Sequence, residues 1–401
     1  MTARQLKMGV AGLGRAFTIM APTLANDPRI RLAAGADPLP EGRELFASQF
    51  GAKTYSTVEE LCADPDVEVV YIATPHQHHA EHVRIATAHG KHVLVEKPMA
   101  ISVAQCRAMI DAAEAAHVVL VVGHSHSFNA PVLRTREIIE SGVYGKPRMI
   151  SALNFTDFLY RPRRPEELDT AQGGGVIFSQ AAHQIDIVRL IGGGRVKSVR
   201  AMTGAWDAAR PTEGAYAALL TFEDDSFASV TYSGYAHFDS DELTGWIGEM
   251  GAPKDRSRYG AMRKALHAAS PGQETVLKAA RNFGGRDYAP APIAPAGARL
   301  HQHFGFMIVS CERADLRPQP DGVMIYDDTA ARLDPVPVPE IPRSEVIDEL
   351  YAAIVDATPP LHNGEWSLAT LEVCLAMLQS AREKKDIHLR HQIGVPREQR
   401  K

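Results

Sequence analysis

Over the first 125 residues, short runs of β-branched and apolar residues alternate with stretches whose apolar positions recur at helical spacing. That alternation is the rhythm of a parallel sheet covered by helices on both faces. Six strands are expected, at residues 7–11, 31–36, 53–55, 68–73, 92–95 and 118–122. Local signals agree: Thr57 with Glu60 and Ser102 with Gln105 have capping-box spacing, and Gly90 follows a helix that ends at His89. Beyond residue 125 the strands lengthen. A helix at 132–141, stopped by Gly142, precedes strands at 149–155 and 196–203, and the runs 215–222 and 227–235 flank Glu223-Asp224-Asp225-Ser226 as a hairpin. Strands return at 306–311 and 323–326, before a proline-rich linker at 335–342 and helices at 344–357 and 368–384. The pattern predicts an α/β chain, with a doubly wound parallel sheet in residues 1–125 and an α+β domain with an open, mainly antiparallel sheet in residues 126–401. Periodicity lapses between 237 and 300, where Gly, Pro, Ala and Arg dominate. This stretch reads as an insertion, a solvated excursion with one or two helices in preference to a basic binding surface.

A chain of 401 residues exceeds what one ordinary core organises, which agrees with two domains. With 45% hydrophobic and 23% charged residues it can bury both cores. A formal net charge of -5 provides no bulk attraction for phosphate backbones or anionic lipid, so the expected partner is a small molecule, with no nucleic acid and no membrane. Cys62, Cys106, Cys311 and Cys374 are scattered with no C-x-x-C pair, which argues against a disulfide framework or a sulfur-ligated zinc site and for a reducing compartment. The N-terminus carries no apolar signal core and no apolar run has the length of a bilayer span, so the expected location is the cytoplasm.

Val10-Ala11-Gly12-Leu13-Gly14-Arg15-Ala16-Phe17 lies where the first strand gives way to the first helix. Gly12 suits a tight turn, and Gly14, with Arg15 and Ala16 at the helix start, lets backbone amides approach a pyrophosphate, so the first domain reads as a Rossmann domain. Phe17 occupies the third glycine position, a departure expected to loosen the contact between helix and strand. Asp37 ends the second strand where an acidic residue binds ribose hydroxyls and repels a 2′-phosphate, so NAD is expected rather than NADP.

Two further strand ends, Thr74-Pro75 with His79 and Glu96-Lys97, fall on the carboxyl edge of the sheet, where open α/β folds bind ligands. Thr74, Pro75, His79, Glu96 and Lys97 are assigned to the cofactor side, and Lys97 is also a candidate to hold a substrate oxygen and stabilise a developing alkoxide. His76, His78, His79 and His82 could share a helix face around a metal, but no carboxylate joins them, so structural or cofactor-contact roles are preferred and no metal is expected. In the second domain Gly173-Gly174-Gly175 feeds a helix on which Ser179 and His183 share a face, with Asp186 placed to orient the imidazole as a general base. The alternative for His183 is a helix-packing role.

Gly12-Leu13-Gly14, Thr74-Pro75-x-x-x-His79, Glu96-Lys97-Pro98, Gly145-Lys146-Pro147 and the Gly173 to Asp186 block together resemble the glucose-fructose oxidoreductase, inositol dehydrogenase and MocA (Gfo/Idh/MocA) family in order and spacing. The resemblance implies a tightly held dinucleotide, a sheet domain used for assembly into a homodimer or homotetramer, and catalysis by Lys97 and His183. One departure is informative: the family usually has an Asp four residues before the histidine, and this chain has Ser179. Loss of that carboxylate argues against a plain polyol. The long insertion, Phe178-Ser179-Gln180 and the segment from Ile308 to Arg313 look more like the branch of phthalate dihydrodiol dehydrogenases. Arg161, Arg163 and Arg164, between prolines and beside Phe158 and Tyr160, are expected to converge on the entrance and hold a carboxylated cyclic cis-diol. A solvated loop balanced by Glu166, Glu167 and Asp169 is the alternative for these arginines. Two other functions stay open: a sugar or inositol dehydrogenase of the same family, and a dinucleotide-binding regulator without turnover.

Overall fold

The computed structural model describes residues 4–269, 272–289 and 299–395. The chain divides into two compact units. The first is built on a six-stranded parallel sheet of order β3-β2-β1-β4-β5-β6, with β1 Leu6–Ala11, β2 Ile30–Ala36, β3 Lys53–Tyr55, β4 Val69–Ile72, β5 His92–Val95 and β6 Leu120–Val122. Between them lie α1 Arg15–Asn26, α2 Pro40–Phe50, α3 Val58–Ala63, α4 His79–Ala88 and α5 Val103–Ala115. Strand order reverses between β1 and β4, and apart from the half-buried Lys7 both central strands are apolar and buried on both faces, as a sheet covered on two sides requires. The Thr57–Glu60 box closes reciprocally, whereas Gln105 returns its side chain to the amide of Ile101 instead of Ser102.

The boundaries of this unit are the main departure from the expected division. Besides residues 4–124 it contains 272–289 and 339–368. Phe283, from the presumed solvated insertion, is 3% exposed and meets Phe17 at 5.0 Å between ring centroids, Phe50 at 6.1 Å and Phe46 at 6.3 Å. Phe17 is therefore no loosening of the glycine motif: its ring is the hub of an aromatic cluster over α1 and α2. The stretch 339–368, with α10 Ser344–Val355 at its centre, runs from α1, where the Thr23 hydroxyl donates to the Pro342 carbonyl at 2.6 Å, to the far edge of the sheet. There the Val122 amide donates to the His362 carbonyl at 2.8 Å, and Val121 bridges Asn363.

The second unit carries a nine-stranded sheet of order β14-β13-β12-β11-β7-β10-β9-β8-β15. In chain order its strands are β7 Pro147–Phe155, β8 Val196–Gly204, β9 Ala215–Phe222, β10 Phe227–Ser233, β11 Phe306–Cys311, β12 Ala314–Gln319, β13 Gly322–Asp327, β14 Ala331–Pro335 and β15 Ile387–His388. All neighbours are antiparallel except β7 and β10. Alternate residues of β9 and β10 are buried while Leu219 and Phe227 stay exposed, so one face of the sheet is covered and the other open. The sequence pattern missed β12, β14 and β15: the alternation in β12 ends at Arg317-Pro318, β14 is short and largely exposed, and β15 has two residues. The helices of this unit are α6 Ala130–Glu140, α7 Ala182–Gly192, α8 Ala261–Ala268 and the greater part of α11 Gly364–Glu383, while α9 Glu274–Ala279 belongs with the first unit. Among the described residues no helix is long and apolar enough to cross a membrane.

Candidate active site

In the first unit the predicted dinucleotide loop closes β1 onto α1. Gly12 has φ of +91°, and a Cβ there would come within 2.9 Å of the Ala73 carbonyl oxygen, so the turn requires glycine. Gly14 caps α1, and a Cβ built on it meets nothing within 4 Å, which leaves open space before the helix N-terminus where amides and dipole favour an anion. Arg15 is exposed and Ala16 half-buried at the helix start. Asp37, one residue past β2, is locked against this loop: one carboxylate oxygen accepts from the Leu13 amide at 2.8 Å and the other from the Leu39 amide at 2.9 Å. Arg43 braces the same turn by donating to the carbonyls of Asp37 and Pro38. A glycine turn, an open helix end and a fixed carboxylate at the carboxyl edge fit a dinucleotide.

The other strand ends are tied together by His79. Its ring is fully buried, with Nε2 2.9 Å from the Thr74 carbonyl and Nδ1 3.0 Å from that of Pro98. The assignment of His79 to direct cofactor contact is corrected accordingly: it braces the Thr74-Pro75 loop against the Lys97-Pro98 loop from beneath. His82 reaches the Thr74 hydroxyl at 2.9 Å, and burial, with the neighbouring histidines His78 and His79, pushes its pKa down to about 4. The Tyr71 hydroxyl donates to Glu96 at 2.5 Å; burial raises the Glu96 carboxyl although this bond and the Lys97 charge oppose the shift. Lys97 itself is half-buried at the end of β5 and precedes a cis peptide bond to Pro98. Among the described residues no group of three or more His, Cys, Asp or Glu side chains is placed to hold a metal ion.

In the second unit the glycine block enters α7 through a π-helical turn, Ile177–Ala181. Gly175, at φ +81°, lies where a Cβ would collide with the Glu213 carboxylate. The Ser179 hydroxyl donates back to the Gly175 carbonyl, so at this position the chain has an internal helix bond in place of a carboxylate. His183 is 7% exposed, its Nδ1 3.5 Å from the Ser125 hydroxyl. Asp186 accepts from the hydroxyls of Ser127 and, at 3.1 Å, Thr370, and Arg189 donates to Thr370 at 2.7 Å, forming a polar chain beneath α7.

Sequence reasoning missed the groups nearest to His183. The ring of His126 stands 4.8 Å from it at 71°, and Phe304 packs 5.2 Å from both rings. His126 in turn meets Glu249 at 3.2 Å and Asn129 at 2.9 Å. Burial alone would raise the Glu249 carboxyl, but the bond from His126 and the nearby positive charge of Arg161 outweigh it and lower the group. Glu249 lies in the stretch whose lost periodicity marks an insertion, so only a search for isolated acids there could have found it.

The arginine loop separates into different roles. Arg164 pairs with Glu166 at 2.9 Å and Glu167 at 3.4 Å, as the alternative reading anticipated. Arg163 stacks 3.6 Å over the Phe158 ring and donates to the Phe158 carbonyl at 2.8 Å, and burial lowers its pKa to about 10. Two of the three guanidinium groups, those of Arg161 and Arg163, therefore meet over the Phe158 ring, and only Arg164 turns away to its glutamates. Arg161 keeps a side chain 44% exposed, with Asp157 at 3.7 Å. Tyr160 donates to Asp207 at 3.0 Å beneath the guanidinium of Arg263, and it lines a cavity of about 560 Å³ with Phe155, Trp206, Tyr235 and Phe238.

Comparison with known proteins agrees with both halves of this description. Residues 6–124 match the model of the GFO_IDH_MocA oxidoreductase family, NAD-binding Rossmann fold, and residues 132–252 match the GFO/IDH/MocA C-terminal domain. The chain is 46% identical to a 1-carboxy-3-chloro-3,4-dihydroxycyclohexa-1,5-diene dehydrogenase from Comamonas testosteroni, over 94% of this chain and 95% of that one. A solved structure from Bordetella bronchiseptica RB50 superposes with a TM-score of 0.90 at 43% identity, covering 96% of this chain and 100% of the other. The WlbA dehydrogenase from Bordetella pertussis, solved with NADH and UDP-GlcNAcA, shares the fold at 19% identity and a TM-score of 0.66, over 96% and 99% of the two chains. From the glycine turn to the sheet domain, the chain belongs to the Gfo/Idh/MocA family of NAD-binding Rossmann-fold oxidoreductases.

Proposed function

We propose that the protein oxidises a carboxylated cyclic cis-diol of the phthalate dihydrodiol type, with NAD rather than NADP as hydride acceptor. The observation that supports this reading is the near-full-length similarity to a dehydrogenase whose named substrate is a ring bearing one carboxylate, one chlorine and two neighbouring hydroxyls. Bound nicotinamide supplies the hydride acceptor. The Lys97 ammonium holds the reacting hydroxyl oxygen and favours its alkoxide character as the C–H bond weakens. His183 receives the hydroxyl proton at Nε2, its Nδ1 facing Ser125. Arg161, the partly exposed member of its loop, is the candidate to pair with the ring carboxylate, and Ser179, with its hydroxyl turned inward, adds no negative charge to repel it. In this reading Lys97 and His183 each carry a step of turnover that a regulator without turnover would not need.

The test is a panel of phthalate-type dihydrodiols, inositols and aldoses assayed for NADH formation. Carboxylated diols should be the best substrates; faster oxidation of uncharged inositols overturns the proposal. Arg161→Ala should raise KM for the carboxylated diol about tenfold, the scale of a lost charge-assisted hydrogen bond, and leave NAD affinity unchanged. A separate expectation concerns the dinucleotide. Asp37→Ala should weaken NAD binding about tenfold by removing a carboxylate acceptor for ribose, while narrowing the preference over NADP. Equal kcat/KM for NAD and NADP in the unmodified enzyme would refute the role of Asp37.

A further inference from the structure

The protonation state of His126 follows from its neighbours. The Asn129 side-chain nitrogen donates to the Gln302 carbonyl at 3.0 Å and lies 2.9 Å from His126 Nδ1. An amide nitrogen can only donate, so Nδ1 accepts and the ring proton sits on Nε2, directed at Glu249 3.2 Å away. His126 is thus a neutral imidazole spanning the distance between a carboxylate and the ring of His183. The turn that presents Glu249 is well braced: Gly248 and Ala252 pair at 2.8 Å, as do the Lys254 amide and the Trp246 carbonyl, and the His303 amide donates to the Glu249 carbonyl at 3.2 Å. Lys254 anchors the base of the turn on Asp239 and Asp241.

We propose that Glu249, acting through His126, is a positioning residue that holds the His183 ring in place and stabilises its protonated form during turnover. The inference rests on the reading of His183 as proton acceptor. As the substrate alcohol becomes a carbonyl, the hydride leaving to the acceptor that bound dinucleotide would supply, the hydroxyl proton passes to His183 and a positive charge appears on a ring shielded by Phe304. A neutral His126 adds no repulsion, and the Glu249 charge one ring away offsets the new cation. The other charged groups of the neighbourhood have partners of their own. Asp186, on the same helix as His183, accepts from Ser127 and Thr370. Arg161 and His303 act on Glu249, Asp241 faces Lys254 and His303, and Tyr232 stacks on Phe304. The insertion is thereby part of the catalytic apparatus of this chain.

NMR titration of the histidine rings, without substrate, tests the coupling directly. The His183 midpoint should fall by about one pH unit in Glu249→Gln, because an opposite charge favours the protonated ring, and Glu249→Asp should restore most of it. In turnover the acid limb of kcat/KM should move to lower pH by the same amount, with the plateau rate reduced about threefold by the weaker base. A structural role alone would lower the rate and leave the midpoint in place, so an unchanged His183 midpoint in Glu249→Gln overturns the inference. Should that variant not fold, the wild-type protein still decides: His126 found protonated at Nδ1, or cationic at neutral pH, also overturns it. A shifted midpoint in a protein that oxidises no diol leaves the coupling standing and removes the proposed substrate class instead.

Discussion

His183→Ala is expected to lower turnover at saturating NAD by about a hundredfold or more, and Lys97→Ala to do the same, since general-base and oxyanion-type contributions are each of that order. The two losses should differ in character. Without His183 the proton must leave to water, so the acid limb of the kcat/KM profile, which reports the fraction of neutral imidazole, should disappear. Without Lys97 that limb should remain while the rate falls at every pH. The His183 variant should bind NAD normally, because neither Gly12 nor the Asp37 turn is touched. Near-normal NADH production by either variant refutes the role assigned to that residue.

The second large effect is on stability. Phe283→Ala removes a ring buried against Phe17, Phe46, Phe50 and Tyr288, and should cost about 3 kcal/mol, the usual scale for truncating a buried aromatic. Urea unfolding of the protein without dinucleotide should show the loss in the transition of the first unit, and excess NAD should recover part of it by binding only the folded form. A change smaller than about 1 kcal/mol would mean that the cluster repacks without residues 272–289, and that this stretch is accessory.

The parallel sheet of the first unit was legible in the sequence because its strands are short, apolar and separated by capped helices; each expected strand overlaps an observed one. Gly12, Gly14 and Asp37 were equally legible, since a tight turn and an acid one strand later are local patterns with local causes. The discontinuity was not. Phe283 is an ordinary apolar residue in its own stretch of chain, and its burial is decided by Phe17, Phe46 and Phe50, more than two hundred positions away. The same holds for His126 and Glu249, separated by 123 residues, whose meeting is a tertiary event. The arginines failed in the opposite sense: their clustering was visible, but bonds to Glu166, Glu167 and the Phe158 carbonyl claimed two of the three.

The interrupted course of the first unit also bears on how the protein comes into being. Synthesis releases β1 to β6 early, whereas the Phe283 ring that covers the aromatic cluster arrives only after β7 to β10, and the 362–363 backbone that covers the β6 edge only after β14. Until then a nascent chain exposes Phe17 and Phe46 to water and offers an unpaired strand edge, two features that recruit holdase chaperones or invite aggregation. Residues 1–124 are therefore no portable module: excised and expressed alone, they should accumulate as insoluble protein, whereas a graft that restores 272–289 and 339–368 should release them into solution.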